Sequence, residues 1–227
     1  MVQSVCIFGD SLAKGVVLDE TRNRYQLLKH SFVHLMEQRR HWKVANYAKF
    51  GITVKKGEQI LQNTPDDLSQ YDYTVLEFGG NDCNFNWAEV AENPLAPHVC
   101  QTPLEQFQQT YEWMIEQVRT RGGKPVALSL PPIDAQRYFV QLSRGLNADN
   151  ILRFLGDIEH IYRWQAMYSA AVVLLAKAYR VPVIDIRAAF LLTEDYRAYL
   201  CKDGIHPNEK GHALIAQAIE QQARAYL

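Results

Sequence analysis

Short apolar runs alternate with helix-like stretches along the whole 227-residue chain. The strand-like runs cover residues 4–8, 43–47, 73–78, 124–130 and 181–186. Strands that alternate with helices favour a parallel sheet whose crossover connections are right-handed. The length suits one large unit with a substantial core. We therefore expect an α/β fold with a parallel sheet of about five strands, in a single domain over residues 1–227.

A helix is predicted between the first two strands, over residues 21–40. Its apolar side chains recur at helical spacing: Tyr25, Leu28, Phe32, Leu35 and Met36. His30 and His34 would share one face of this helix. Because the intervening glutamate of a zinc hydrolase is missing, we interpret the two histidines as surface or core-edge residues and expect no metal site. Further helices are expected over residues 54–63, from about 102 onward, over 157–179 and over 210–227.

Two distant segments carry the residue types of nucleophilic catalysis. Gly9-Asp10-Ser11-Leu12 directly follows the first apolar run, and Asp203-Gly204-Ile205-His206-Pro207 lies near the end of the chain. A serine hydroxyl needs an imidazole to take its proton, and the imidazole needs a partner that fixes its tautomer. The residues predict Ser11 as nucleophile, His206 as base and Asp203 as the orienting carboxylate. The alternative is a plain strand-to-helix turn with a capping serine and a histidine at a helix entry.

Two further segments could supply donors to a tetrahedral oxyanion. Gly51 follows the second strand, and the absence of a Cβ lets its N–H approach a substrate closely. Asn81 follows the third strand in Gly79-Gly80-Asn81-Asp82 and can donate from its amide. A turn glycine and an Asx-turn asparagine are the alternatives. Asp10 and Asp82 are expected to hold their loops by local hydrogen bonds.

These four blocks together resemble, in order and spacing, the SGNH hydrolases, also called the GDSL esterase/lipase family. The resemblance spans nearly the whole chain and implies a catalytic triad of Ser11, Asp203 and His206. It further implies an oxyanion hole made of the Ser11 N–H, the Gly51 N–H and the Asn81 side chain. The implied architecture is a flavodoxin-like, three-layer α/β/α sandwich without a cofactor. The family leaves the substrate open, since its members hydrolyse esters of sugars, lipids, aryl alcohols and thiols.

Two long connections are expected to emerge beside the carboxyl edge of the sheet, over residues 83–101 and 131–156. The first carries Phe85 and Trp87, and the second carries Tyr138. We expect these three side chains, together with Asp10, to border the substrate pocket. For Trp87 and Tyr138 the alternative is an ordinary core position.

Composition limits the partners. The formal net charge is −1, so nothing favours nucleic acid as a partner, and no apolar run approaches the length of a membrane span. The absence of a signal-like segment in the sequence given suggests a cytoplasmic protein.

The four cysteines lack metal-ligand spacing. We interpret them as free thiols, and a disulfide between Cys83 and Cys100 is the alternative. The expected partner is a small-molecule ester, and the sequence indicates no oligomeric state.

Three functions follow from these observations. The leading hypothesis is a serine esterase that acts through an acyl-enzyme on short-chain or acetyl esters, with carbohydrate as one carrier. The second is a hydrolase of longer acyl chains, such as a lysophospholipase or thioesterase. The third, from another class, is a non-catalytic flavodoxin-like binding module, and reaction of Ser11 with a fluorophosphonate probe would distinguish it from the other two.

Overall fold

A computed structural model describes residues 4–64 and 67–226 of the chain. The strands in these residues are β1 (Ser4–Gly9), β2 (Val16–Asp19), β3 (Arg24–Leu27), β4 (Lys43–Asn46), β5 (Tyr73–Glu77), β6 (Pro125–Leu128) and β7 (Val183–Ile184). Five of them form one sheet in the order β4-β1-β5-β6-β7, and each neighbouring pair is parallel. The predicted five-stranded parallel sheet is therefore confirmed.

Helices cover both faces of this sheet. They are α1 (Ser11–Lys14), α2 (Phe32–Arg40), α3 (Val54–Asn63), α4 (Trp87–Glu92), α5 (Leu104–Thr120), α6 (Ala135–Leu142), α7 (Ala148–Leu155), α8 (Glu159–Ala178), α9 (Ile186–Leu191) and α10 (Glu209–Tyr226). Helices α3, α5 and α8 pack on one face, and α2, α9 and α10 pack on the other. The result is the three-layer α/β/α arrangement expected from the sequence.

Strand β1 shows how the sequence builds these layers. Cys6 and Phe8 contribute to the core on the α3, α5 and α8 side, whereas Val5 and Ile7 face the opposite helices. All four are buried, because a strand whose sheet is covered on both sides has no solvent-facing side. At its end, Gly9 pairs in register with Glu77 of β5, so the carboxyl ends of the two strands meet at one sheet edge.

The helix predicted over residues 21–40 is wrong in its first half. Residues 16–27 form an antiparallel hairpin of β2 and β3, and α2 begins only at Phe32, where the Ser31 side chain caps it. Gly15, at a φ of 79°, ends α1 in the left-handed conformation and turns the chain into the hairpin. The regular apolar spacing therefore spans two elements. His30 precedes the helix, so it does not share a helix face with His34.

Several other boundaries shift. The long connections are not structureless: the first contains α4, and the second contains α6 and α7. Strand β7 is shorter than predicted because the Asp185 side chain accepts the Ala188 N–H and starts α9 directly behind it. The predicted end of the final helix, Leu227, lies outside the described residues.

None of the helices within 4–64 and 67–226 has the length and apolar character needed to cross a membrane.

Candidate active site

Ser11 lies at the tight turn between β1 and α1, at the carboxyl edge of the sheet. The Asp10 side chain caps α1 by accepting the Leu12 N–H at 2.9 Å. A Cβ on Gly9 would lie 2.8 Å from Glu77 Oε2 and 2.9 Å from the Ala13 Cβ, so a side chain at this position would collide with its neighbours. The small residue at position 9 therefore allows the strand and the nucleophile turn to meet this closely.

His206 and Asp203 reach Ser11 from the loop that precedes α10. The Nδ1 atom of His206 lies 2.7 Å from Asp203 Oδ2, and Nε2 lies 2.9 Å from Ser11 Oγ. The other carboxylate oxygen, Oδ1, accepts the N–H groups of Ile205 and His206, both at 3.1 Å. Gly204 has a φ of 78° and lies against the backbone of Asp134, which leaves no room for a Cβ. The structure thus brings the three predicted residues into one hydrogen-bonded chain.

The electrostatics of Asp203 suit this arrangement. Burial raises the pKa of Asp203. Opposing interactions outweigh this effect: the hydrogen bond and charge of His206, and two backbone N–H donors, lower the pKa. As a result, the pKa of Asp203 lies below its ordinary value. The carboxylate is therefore ionised at neutral pH. An ionised carboxylate at Nδ1 requires a proton on that nitrogen, which leaves the Nε2 lone pair of a neutral ring directed at the Ser11 hydroxyl.

Two aromatic rings flank His206 at the mouth of the site. The ring centroid of Tyr25 lies 5.1 Å from that of His206, and the ring of Phe50 lies 6.2 Å from it. Burial and the nearby Asp203 carboxylate raise the pKa of Tyr25 to about 12. Sequence reasoning missed both residues. Tyr25 fell within the predicted helix, which gave no reason to place it at the site. For Phe50, the only indication in the sequence was its position next to Gly51.

The predicted oxyanion donors differ in availability. Within the described part of the chain, the N–H groups of Ser11 and Gly51 have no protein acceptor. Gly51 has a φ of 73° and open space around the position of a Cβ. The Asn81 amide is engaged, since Nδ2 donates to Asp10 Oδ2 at 2.9 Å and to Ile52 O at 3.0 Å. Asn81 can donate to an oxyanion only by sharing or exchanging one of these bonds.

A cavity of about 530 Å³ opens beside Ser11. The predicted pocket residues Asp10, Phe85, Trp87 and Tyr138 all border it. Asn84 organises the wall, because its Oδ1 accepts the Trp87 Nε1–H at 2.7 Å and the Tyr138 hydroxyl at 3.0 Å. Sequence reasoning missed Asn84 and two rings from the α7 and α8 helices, Phe154 and Trp164, which continue the wall.

Asp82 lies buried behind this edge of the sheet. Its carboxylate oxygens lie 3.0 and 3.2 Å from the Val54 nitrogen, so the side chain accepts the N–H of the first residue of α3. Burial raises the pKa of Asp82 to about 7, and the neighbouring Asp10 carboxylate contributes to this shift. The predicted local hydrogen bond of Asp82 is therefore wrong: the side chain bonds to a residue 28 positions earlier in the chain, at the start of α3, because β5 and α3 meet at this edge of the sheet.

We expect Asp82→Asn to become progressively more stable than the parent protein as the pH rises from 4 to 8. The folded pKa of Asp82 lies above its unfolded value, so folding disfavours the ionised form and the parent loses stability as pH rises toward about 7. With a folded pKa of about 7 against an ordinary value of about 3.9, full ionisation corresponds to a difference in unfolding free energy on the order of 4 kcal/mol. Urea unfolding of both proteins at several pH values measures it.

The control for this prediction is Asp157→Asn. Asp157 is exposed, and hydrogen bonds to Arg163 and the backbone lower its pKa. The stability difference between this variant and the parent should therefore stay nearly constant over the same pH interval, with only a small gain for the parent between pH 4 and 5, where the unfolded carboxyl finishes ionising. A constant difference for Asp82→Asn as well would contradict the prediction.

Among the described residues, Cys6, Cys83, Cys100 and Cys201 are buried and none is in a disulfide, so Cys83 and Cys100 are not joined. Across residues 4–64 and 67–226, His, Cys, Asp and Glu side chains form no group of three or more that could hold a metal ion.

A nucleophilic serine, an imidazole and a carboxylate at the carboxyl edge of a parallel sheet define the class of serine hydrolases. The model of the GDSL-like Lipase/Acylhydrolase family matches residues 7–214. The chain therefore belongs to this family and is a serine hydrolase of the carboxylic ester hydrolase type. No curated protein matches the sequence.

Solved structures show the same fold at low identity. A lipase/acylhydrolase from Enterococcus faecalis is 19% identical, with a TM-score of 0.70 over 99% of this chain and 97% of its own. An α/β hydrolase enzyme from the metagenome of Lake Arreo is 21% identical, with a TM-score of 0.68 over 99% and 96%. A Geobacillus acetyl-xylooligosaccharide esterase variant is 17% identical, with a TM-score of 0.66 over 97% and 93%.

Proposed function

We propose that the protein hydrolyses carboxylic esters through an acyl-enzyme on Ser11. The observation that carries the proposal is the chain from Asp203 through His206 to Ser11, with contacts of 2.7 and 2.9 Å. Ser11 Oγ attacks the ester carbonyl as His206 Nε2 takes its proton, and the N–H groups of Ser11 and Gly51 receive the oxyanion. His206 then protonates the departing alcohol. Water, activated by the same imidazole, releases the acid.

The size and lining of the cavity favour a substrate with a sizeable apolar acyl group. A volume of about 530 Å³ falls within the range of pockets that enclose drug-sized ligands and far exceeds an acetyl group. Aromatic rings from the first long connection and from α7 and α8 border it together with aliphatic side chains. The alcohol would leave on the open side, where Tyr25 and Phe50 flank the histidine that protonates it. This favours the longer-chain hypothesis.

A short-chain or acetyl ester, with carbohydrate as one carrier, is the second candidate. The partly exposed rings of Tyr25 and Phe50 lie 5.2 Å apart at the mouth and could contact a bulky alcohol. The Geobacillus neighbour is an acetyl-xylooligosaccharide esterase, which agrees with this candidate. In that case the enclosed part of the cavity would remain largely empty in the acyl-enzyme.

A chain-length series of p-nitrophenyl esters from acetate to palmitate separates the two candidates. If the acyl chain enters the apolar cavity, kcat/KM should rise roughly fourfold for each added methylene until the cavity is filled, because burying a methylene contributes about 0.8 kcal/mol. A maximum at acetate, together with turnover of acetylated sugars, would favour the second candidate. Absence of turnover with every ester would count against both.

We expect Trp87→Ala to shift the preference of the enzyme toward bulkier esters. Removing the indole opens the cavity wall and frees Asn84, so the ratio of kcat/KM for palmitate to that for octanoate should rise by about fivefold or more. Reaction of Ser11 with a small organophosphate should stay nearly unchanged. The matched control is Trp113→Ala, a partly buried tryptophan on α5 that does not border this cavity. An unchanged ratio accompanied by a large loss of stability would make Trp87 a packing residue only.

A further inference from the structure

Two buried carboxyl groups lie side by side behind the nucleophile turn. Asp10 is 5% exposed and Glu77 is 1% exposed. Among the described residues, neither forms an ion pair with a lysine or arginine. Two adjacent buried carboxylates without a cation are strongly unfavourable, and such a pair keeps a proton. The pair takes no part in the proton transfers proposed for Ser11, His206 and Asp203.

The hydrogen bonds indicate which member is ionised. Asp10 Oδ1 accepts the Leu12 N–H, and Oδ2 accepts the Asn81 Nδ2–H, each at 2.9 Å. Both carboxylate oxygens of Asp10 therefore receive donors, which suits an ionised group. One bond fixes the first turn of α1 next to Ser11, and the other fixes the amide that follows β5.

Glu77 has a different set of contacts. Its Oε2 accepts the N–H groups of Asp10 and Ala13, at 3.1 and 3.3 Å, and these residues lie on either side of Ser11. No N–H within the described residues meets Oε1, which leaves that oxygen free to carry a proton. The bond from the Asp10 N–H to Glu77 Oε2 brings the two buried carboxyl groups into neighbouring positions, where one proton shared between them would relieve the repulsion of two charges. Burial, and next the charge of Asp10, raise the pKa of Glu77 well above its ordinary value.

We propose that Glu77 holds the shared proton, donates it to an ionised Asp10, and acts with Asp10 as a positioning pair for Ser11 and Asn81. The neutral carboxyl of Glu77 fixes the nucleophile turn through the Asp10 and Ala13 N–H groups. The single negative charge on Asp10 orients the Asn81 amide. It also faces His206, where it favours the imidazolium that forms when Ser11 gives up its proton.

The test is a reciprocal pair of amide substitutions, and it rests on the proposed esterase function. In Glu77→Gln the amide group replaces the donating hydroxyl, and the remaining oxygen still accepts both N–H groups, so kcat should stay within about threefold of the parent. In Asp10→Asn the amide group confronts a backbone or Asn81 N–H and the charge is lost. Here kcat should fall by about a hundredfold or more, with KM nearly unchanged.

The pH profile adds a readout that a purely structural role would not move. The other titratable groups facing the pair are His206, Asp82, Cys83 and Tyr111. Because the charge on Asp10 favours the protonated imidazole, Asp10→Asn should shift the rising limb of kcat/KM to lower pH. Glu77→Gln should leave that limb in place. Equal losses in the two variants, or a larger loss in Glu77→Gln, would overturn the proposal.

Two controls keep the test decisive. Thr74→Val changes a buried residue of the same strand whose hydroxyl has no hydrogen-bond partner, so its activity should match the parent. If Asp10→Asn does not fold, Glu77→Met takes its place, because it removes the acceptor from both N–H groups. A kcat of Glu77→Gln near that of the parent, with a kcat of Glu77→Met at least about a hundredfold lower, would support the proposal. Equally low kcat values in both variants would overturn it. Failure of the parent to turn over any ester would instead refute the proposed function.

Discussion

Replacing Ser11 by alanine should lower ester hydrolysis by roughly three or more decades in kcat/KM. The substitution removes Oγ, the atom proposed to form the acyl-enzyme. It should leave the fold intact, because Ser11 Oγ has His206 Nε2 as its side-chain partner and the turn is held by Asp10 and Glu77. Turnover of the best ester in the chain-length series, together with the melting temperature, measures both effects.

The matched control is Ser143→Ala, which removes a hydroxyl that donates to the Phe139 carbonyl on α6, outside the cavity. Its activity should remain within about twofold of the parent. A fluorophosphonate probe should label the control and the parent but not Ser11→Ala. Residual hydrolysis at the parental rate in Ser11→Ala would refute the serine mechanism. Inhibition by EDTA that zinc reverses would direct attention to a metal instead.

Much of the candidate site could be anticipated because its polar residues follow strands. Ser11 comes two residues after the end of β1, and Gly80 and Asn81 follow the end of β5, while the two strands pair in register. The carboxyl ends of parallel strands meet at one edge, so residues far apart in sequence become neighbours. His206 lies 195 residues from Ser11 in the sequence. The short spacing of Asp203 and His206 on one loop nevertheless indicated that this pair acts with a serine.

The hairpin of β2 and β3 could not be anticipated in the same way. Tyr25 and Leu28 continue the helical spacing of α2 by coincidence, but Leu28 packs against Val17, Leu18 and Cys201, in a small cluster separate from the main core. The break is set by Gly15 and Ser31, whose roles as a left-handed residue and a helix cap depend on local backbone conformation. Periodicity alone does not report such conformations.

Glu77 and Asn84 were missed for a different reason. A glutamate at the end of an apolar run looks like the solvent-exposed end of a strand, and only the three-dimensional structure shows that it is buried against Asp10. Asn84 acquires its role from Trp87 and Tyr138, which lie on two separate connections. Roles that arise from contacts between distant segments leave no local pattern in the sequence.

Replacing Asp203 by asparagine should lower kcat/KM by about a hundredfold or more while the loop keeps its shape. The remaining carbonyl oxygen can still accept the Ile205 and His206 N–H groups that Oδ1 accepts in the parent. The new amide nitrogen, however, meets His206 Nδ1 as a donor. This favours the tautomer with its proton on Nε2, which cannot accept the proton of Ser11.

The loss in Asp203→Asn should be full on the alkaline plateau of kcat/KM and smaller toward pH 5. The lowered pKa of Asp203 keeps the parental carboxylate ionised from pH 5 to 9, whereas the variant lacks the charge that favours the protonated imidazole. The rising limb of the variant should therefore lie at lower pH than that of the parent. Parallel pH profiles of kcat/KM for the parent and the variant test this expectation, and fluorophosphonate labelling at one pH reports the reactivity of Ser11 independently of ester binding. Asp195→Asn is the control, since its side chain also accepts a backbone N–H but lies on the exposed turn before Tyr196. Activity of Asp203→Asn equal to that of the control would mean that another group, or none, orients His206.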